Sequence, residues 1–561
     1  MRRISTVFAI ACAMSSASAA SPEGGGAVAV SVDTASNVHA FSTDIFGVAF
    51  GDADRNAQIG YTVRRWGGNS VTRYNWQNDV HSTASDWYFE NIPGARDRTQ
   101  IPPIDNSADA FVGESLAAGA KPLMTIPTIG WTPRYDSPLD HPYFAGFSVG
   151  RYGAQQSVDP YDTDAGNGRR ANGDPVTGND PHDTSSETDP DFERGWLQHF
   201  QSAFGNASSG GVKLYSLDNE VMLWNSTHRD VHPQPTTYDE TWAKARDYGA
   251  MIKDQDPGAL VTGPVTWGYC DLFGSAADNC LDGPDREAHG GTPFVAWYLG
   301  QVCANPLAGG ARVVDYLDLH YYPQGSNVAL SDDDSPSTAA RRLRSLKELY
   351  DATWVSESWI ADLGDGDANH YDKPNLIPRV RAWIDQYCPG TKLAITEYNW
   401  GNDDTASGAV AQAELFGIFA REGVDLATRW VAPEANTRAE RAFTLFLDYD
   451  GAGAKVDGAS VAASSANVDA IGAYAFASSG GRTIVLLTNK DTVTHDVQLT
   501  FAAARVGAWS LYGFDADSAV HAIASGAISG TSVTLSVLPA MSANLLVISG
   551  GDVIFANAFE P

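Results

Sequence analysis

Long apolar runs are missing from this 561-residue chain beyond its first twenty residues. None of the later runs approaches the roughly 20 apolar residues that a bilayer-spanning helix needs, so no membrane partner is expected. Cysteine is scarce: Cys12 lies near the amino terminus, and Cys270, Cys280, Cys303 and Cys388 follow far downstream. Their spacing lacks the close pairs that zinc requires. In an oxidising compartment four cysteines make one or two bridges. Proximity favours Cys270 with Cys280, and Cys303 and Cys388 each end an apolar helical stretch, which lets them join neighbouring helices. Basic residues are few, 37 against 68 acidic. A surface of that sign repels nucleic acid and anionic membranes and disfavours acidic polymers, while neutral polymers are indifferent to it. No phosphate-cradling loop and no redox-cofactor motif is apparent, so catalysis here calls for no cofactor. No tether rich in Pro, Thr and Ser divides the chain.

The amino terminus is what a secreted protein carries. Arg2 and Arg3 precede an apolar stretch from Ile4 to Met14, and Ala17, Ser18 and Ala19 supply small residues for cleavage, so residues 1–20 read as a signal peptide. Removing its two arginines takes the net charge from −31 to −33.

The remaining 540 or so residues exceed one hydrophobic core. Between residues 43 and 437, eight apolar runs (DIFGVAF, YTVRRW, KPLMTIP, VKLYSL, ALVTGPV, VDYLDLHY, KLAITEY and ATRWVAP) alternate with amphipathic helices. Phe192, Trp196, Leu197 and Phe200 share one helical face, and Thr237 with Glu240 suggests a capping box. Alternating strands and helices imply parallel pairing, here an α/β fold with a (β/α)8 barrel of the TIM type. From 438 to 550 short alternating runs separated by Gly, Ser, Asn and Asp imply a smaller all-β sandwich. The early run AVAVSVD, within 21–42, has no helical partner and is assigned to that sandwich. The tail 551–561 reads as a terminal signature or a frayed end.

Two glutamates stand where barrel strands run out into aromatic residues: Glu220 in LYSLDNEVMLW and Glu397 in LAITEYNWG. Barrel active sites lie at the carboxyl ends of the strands. Two carboxyl groups flanking a bond, one protonated and one charged, are what cleavage of a glycosidic bond requires. Asn219 places an amide beside Glu220. His320 and Tyr322 end the sixth strand with alternation pointing both inward. Trp430 follows the eighth strand as a floor for a sugar ring, and Trp66, Asn75, Trp76, Trp224, Trp359, Tyr398 and Trp400 are further candidates for lining a cleft.

The stretches RRWGGNSVTRYNWQND from Arg64, SDWYFEN from Ser85, YSLDNE ending at Glu220, DLHYYPQG from Asp318, SESWI from Ser356 and ITEYNWG from Ile395 together resemble glycoside hydrolase family 44. The resemblance implies a retaining endo-β-1,4-glucanase, often preferring xyloglucan, with Glu220 as acid/base and Glu397 as nucleophile. Arg65, ending the second strand, would then hold the nucleophile ionised. The expected partner is plant cell-wall xyloglucan or β-1,4-glucan, met by a monomer.

The long insertion SVDPYDTDAGNGRRANGDPVTGNDPHDTS offers Asp159, Asp162 and Asp164 as oxygen ligands at close spacing, though without the closing glutamate of an EF-hand. Bound calcium occurs in the family it resembles, which favours a structural ion over a bare loop. Two rivals carry different expectations: another retaining barrel glycosidase of xylanase or arabinofuranosidase type, and a carbohydrate-binding protein that does not turn over.

Overall fold

The computed structural model describes residues 25–365 and 369–550; the signal-peptide reading and the carboxyl-terminal tail fall outside them. Eight strands close a parallel barrel in chain order: β1 (Gly47–Ala49), β2 (Val63–Trp66), β3 (Lys121–Ile126), β4 (Leu214–Leu217), β5 (Leu260–Thr266), β6 (Tyr316–His320), β7 (Lys392–Tyr398) and β8 (Leu426–Arg429). All eight fall within the runs read from sequence or within one residue of them. Helices lie between successive strands, as parallel pairing demands. The helix Pro190–Phe204 starts on Asp189, whose side chain accepts from Phe192 N, and buries Trp196, Leu197 and Phe200. Thr237 caps the helix Tyr238–Gln255 by accepting from Glu240 N, but Glu240 turns its carboxylate to His232, so only half of the expected capping box forms.

The barrel interior is layered. Val63, Leu123, Leu214, Tyr316, Ala394 and Leu426, with Leu260 packed against them, form one apolar layer at the strands' amino-terminal side. Two residues on, where alternation returns each strand to the same face, stand Arg65, Thr125, Ser216, Thr262, Asp318, Thr396 and Thr428, all buried and all polar. The remaining strand contributes Gly47, where a Cβ would come within 2.6 Å of the Ala427 carbonyl and 2.9 Å of Val63. No larger residue lets β1 close on its neighbours.

The all-β part is one continuous sheet in the order 25–33, 459–465, 471–478, 482–489, 542–549, 495–514, 521–538. The first strand also pairs in parallel with His495–Phe514, so the sheet wraps round upon itself and its two layers share hydrogen bonds. Strand Arg482–Asn489 is buried on both faces. Val485 and Leu487 point into the sheet's own core; Ile484 and Leu486 join the barrel's core. Helix Ala406–Glu422 lies between barrel and sheet and is buried nearly all round. There Glu414 meets Lys490 at 2.9 Å and accepts from Thr488 and Tyr474. Both bridges form, Cys270–Cys280 and Cys303–Cys388.

Candidate active site

Strict alternation would turn Glu397 away from the interior if Thr396 faces inward. The pairing of β6 with β7 resolves this: its register jumps from Leu319 opposite Ile395 to His320 opposite Glu397. The extra residue re-aims the strand end, as bulges beside active sites do, and both side chains reach the barrel mouth. On β4 the device differs. Asp218 and Glu220 both adopt left-handed backbone, with φ of 67° and 45°, a conformation that costs on the order of 1 kcal/mol or more in a residue with a Cβ. Asp218 holds it by accepting from Thr128 N, Ile129 N and Asn219 N. Asp218 is thus a buried anchor for the turn that carries Glu220.

The glutamates meet across the mouth. Glu220, Glu397 and His320 each present an atom within 4.8 Å of the others. Arg65 donates through NH1 to Glu397 Oε1 at 2.6 Å and through NH2 to Asn219 Oδ1 at 2.7 Å. Tyr322 OH donates to Glu397 Oε2 at 2.8 Å. With a donor on each oxygen, Glu397 is held as an acceptor facing the cleft. Glu220 Oε1 lies 3.0 Å from His320 Nδ1. Asn219 Nδ2 donates to Asn69 Oδ1, and Asn69 donates onward to Asp86.

Burial, together with the charge of Glu397, raises the carboxyl pKa of Glu220; Arg65 opposes this, as does His320 in the tautomer that donates from Nδ1. Burial lowers the imidazole pKa of His320 to about 4, so this ring is neutral. Burial and the facing Glu397 push the phenol of Tyr322 well above its usual range, which keeps it a donor. The environment of Glu220 favours its protonated form while Glu397 is held as an acceptor by Arg65 and Tyr322, the division of labour expected of an acid and a nucleophile.

The candidates from sequence divide into two groups. Arg65, Asn219, His320 and Tyr322 converge on the glutamates, and Trp430 lines an adjoining cavity of about 360 Å³ with Asn399, Arg429, Asp403 and Glu434. Trp359 is 38% exposed, its indole NH bonded to Gln324. The others are packing residues. Trp224, Tyr398 and Trp400 are buried and offer no face to a sugar; Trp400 donates to Ser345 Oγ and Tyr398 bonds Gln412. Trp66 packs among Phe50, Tyr74 and Phe111. Trp76 packs against helix Pro190–Phe204 with its NH on the Phe192 carbonyl. Asn75 spends its amide on Pro133 O and Gln77 N. Sequence reading passed over Trp87, 43% exposed and next to Asp86, and Asp318 and Thr396, which alternation alone would have placed beneath the glutamates.

A second acidic group lies outside the barrel. Asp159 and Asp162 are buried beside Glu90; Asp159 Oδ2, Asp162 Oδ2 and both Glu90 oxygens have no hydrogen-bond partner. Burial and the facing aspartates push the Glu90 carboxyl up to about 8. His141 also brings a nitrogen within 4.8 Å of the Glu90 and Asp159 oxygens. Asp164 does not join them: it accepts from Ser148 Oγ and Gly150 N.

Residues 80–325 match the model of glycoside hydrolase family 44. A solved bifunctional glucanase-xylanase from a metagenome library is 37% identical, with a TM-score of 0.87 over 94% of this chain and 100% of that one. A family 44 endoglucanase of Clostridium acetobutylium is 28% identical, with a TM-score of 0.75 over 93% and 99% of the two chains. Endoglucanase A of Paenibacillus lautus is 29% identical over 437 residues, which span 76% of this chain and 58% of that protein. With the family model matched and the whole fold shared with these solved relatives, this chain belongs to glycoside hydrolase family 44.

Proposed function

We propose that the protein is a secreted, monomeric, retaining endo-β-1,4-glucanase acting on xyloglucan and related β-1,4-glucans. The observation that carries this reading is the separation of the two carboxyl groups, whose nearest atoms lie within 4.8 Å. Retaining enzymes hold the pair about 5 Å apart, whereas an inverting enzyme needs space for a water between them. In the first step Glu397 attacks the anomeric carbon while Glu220 protonates the departing oxygen. In the second, water enters with Glu220 as base and displaces Glu397. The raised pKa of Glu220 suits the first step; loss of the Glu397 charge in the glycosyl-enzyme lowers it for the second.

Endo action is supported by exposed indoles in the loops after β2 and β6, Trp87 and Trp359, since those strands stand opposite one another in an eight-stranded ring. The two disulfides suit an oxidising compartment. The described residues include no helix long and apolar enough to cross a membrane. Xylan is a second substrate to consider, because the 37%-identical relative is a glucanase-xylanase. For the structural ion, Glu90 joins Asp159 and Asp162 as ligands in place of Asp164: both Glu90 oxygens and one oxygen each of Asp159 and Asp162 are buried without donors, which fits a hard cation such as calcium. The test is a product profile on xyloglucan, barley glucan, mannan and xylan with viscosity followed in parallel. Viscosity should fall faster than reducing ends appear. Monosaccharide release at constant viscosity would refute the endo reading.

A further inference from the structure

Asp318 lies below the glutamates, outside the mechanism just described, yet it is connected to Glu220 by hydrogen bonds. Thr396 Oγ1 donates to Asp318 Oδ1 at 2.7 Å, and Thr262 Oγ1 donates to Oδ2 at 2.6 Å. His320 Nε2 lies 3.2 Å from the same Thr396 oxygen, and His320 Nδ1 lies 3.0 Å from Glu220 Oε1. Asp318, Thr262, Thr396 and His320 are buried on barrel strands, and Glu220 is half-buried at the mouth.

We propose that Asp318 is a positioning residue for the acid/base: through the single hydroxyl proton of Thr396 it fixes the tautomer of His320, which in turn decides whether Glu220 keeps its proton. The proposal rests on the reading of Glu220 as acid/base. A threonine hydroxyl has one proton. Committed to the Asp318 carboxylate, it leaves only a lone pair for His320 Nε2, so Nε2 carries the ring's hydrogen. A neutral imidazole has one N–H, and Nδ1 is therefore a bare acceptor facing Glu220 Oε1. Two acceptors at 3.0 Å repel unless the carboxyl supplies the proton, so this tautomer favours protonated Glu220. The opposite tautomer would donate from Nδ1 and favour the carboxylate. In the free enzyme the Glu220 proton rests on Oε1, and rotation of the carboxyl group delivers it when a glycosidic oxygen competes for it.

The charged and titratable groups around Asp318 are compatible with this. Arg65 from β2 stabilises its charge, Tyr298 from helix Phe294–Ala304 faces it, and His320 continues its own strand. Burial raises the Asp318 carboxyl to about 6, so it is ionised at neutral pH.

The alkaline limb of kcat/KM on xyloglucan reports Glu220 in the free enzyme. Asp318→Asn donates to Thr396, turns its proton toward His320 and should lower that limb by roughly one pH unit, the worth of one charged hydrogen bond. Removing the negative charge acts in the same direction, so the decisive variant is Thr396→Val, which keeps Asp318. It should lower the limb similarly, and Thr396→Ser should restore it. A limb that stays in place while the rate falls equally at every pH would overturn the proposal. Should the variants fail to fold, nitrogen-15 spectra of histidine-labelled wild-type protein decide alone: His320 protonated at Nε2 supports the proposal, and protonation at Nδ1 overturns it. Absence of hydrolysis on every glycan by wild type would instead remove the glucanase reading, leaving the tautomer measurement intact.

Discussion

The two inward layers of the barrel are two residues apart along the same strands and serve opposite ends. The lower layer, Val63, Leu123, Leu214, Tyr316, Ala394 and Leu426, is a plug of apolar contacts. The upper layer puts Arg65, Asp318 and five hydroxyl residues in the same buried surroundings. Burying polar groups is tolerable only when each finds a partner, and here they find one another: Thr262 and Thr396 bond Asp318, while Thr125 and Thr428 bond strand carbonyls. The plug stabilises without orienting anything. The polar layer orients the catalytic groups and adds little to stability, because its hydrogen bonds replace bonds to water.

That contrast is broken most severely at the mouth. Glu397→Gln keeps an oxygen for Arg65 but removes the nucleophile, so activity on every substrate should fall on the order of 10⁴-fold or more, with the unfolding midpoint hardly moved. Glu220→Ala should behave differently: an activated aryl glycoside forms the glycosyl-enzyme, turnover stalls, and azide restores it as a β-glycosyl azide. Azide rescue of the Glu397 variant alone, or an α-azide from Glu220→Ala, would reverse the assignments.

Much of this contrast could be read from sequence, because its cause is local. Each strand alternates between faces, and Asp318 with His320 or Ala394 with Thr396 shows the same inward parity in the chain as in the barrel. Glu397 is the exception, since parity alone sends it outward and only the register jump against β6 brings it back. The tryptophans were legible as aromatic but not as exposed: Trp224 and Trp400 neighbour the glutamates in sequence, yet their burial is set by tertiary packing, with Trp400 bonded to Ser345 and Trp224 packed on His232. Glu90 was missed for a similar reason, being brought to Asp159 by tertiary packing. The wrapped sheet required the parallel pairing of Val28–Val32 with Val497–Phe501, between chain ends nearly the whole sequence apart.

In the plug the expected sign is reversed. Leu214→Ala removes a fully buried side chain and leaves a cavity, at a cost of about 2–5 kcal/mol, measurable by urea denaturation. Activity per folded molecule should persist at temperatures well below the midpoint. A large loss of kcat without a loss of stability would mean that the two layers are not separable. In the polar layer's own territory, Tyr322→Phe deletes one donor to Glu397 Oε2 and should lower kcat/KM by roughly tenfold, with stability changed by less than the Leu214 variant.

The smallest effect sharpens the contrast from outside the barrel. Asp318 is buried with a donor on each oxygen, whereas Glu90 is buried with none and Asp159 and Asp162 each leave one buried oxygen without a donor. The carboxyl of Glu90 is pushed up to about 8 in the folded protein, well above its range in the unfolded chain. A raised folded pKa means that the folded state binds the extra proton. The associated stability is present at low pH and lost as pH rises through the window that ends near 8. For one proton the slope is at most about 1.4 kcal/mol per pH unit. Protein treated with chelator should therefore lose stability between about pH 5 and 8. A bound cation takes the proton's place, so added calcium should flatten this decline and raise the unfolding midpoint most at the alkaline end. Urea midpoints measured across that window with chelator, calcium or zinc make the comparison; zinc acting more strongly than calcium would bring His141 into the ligand set. Identical curves under all three conditions would show that these carboxylates remain protonated in the fold and hold no ion.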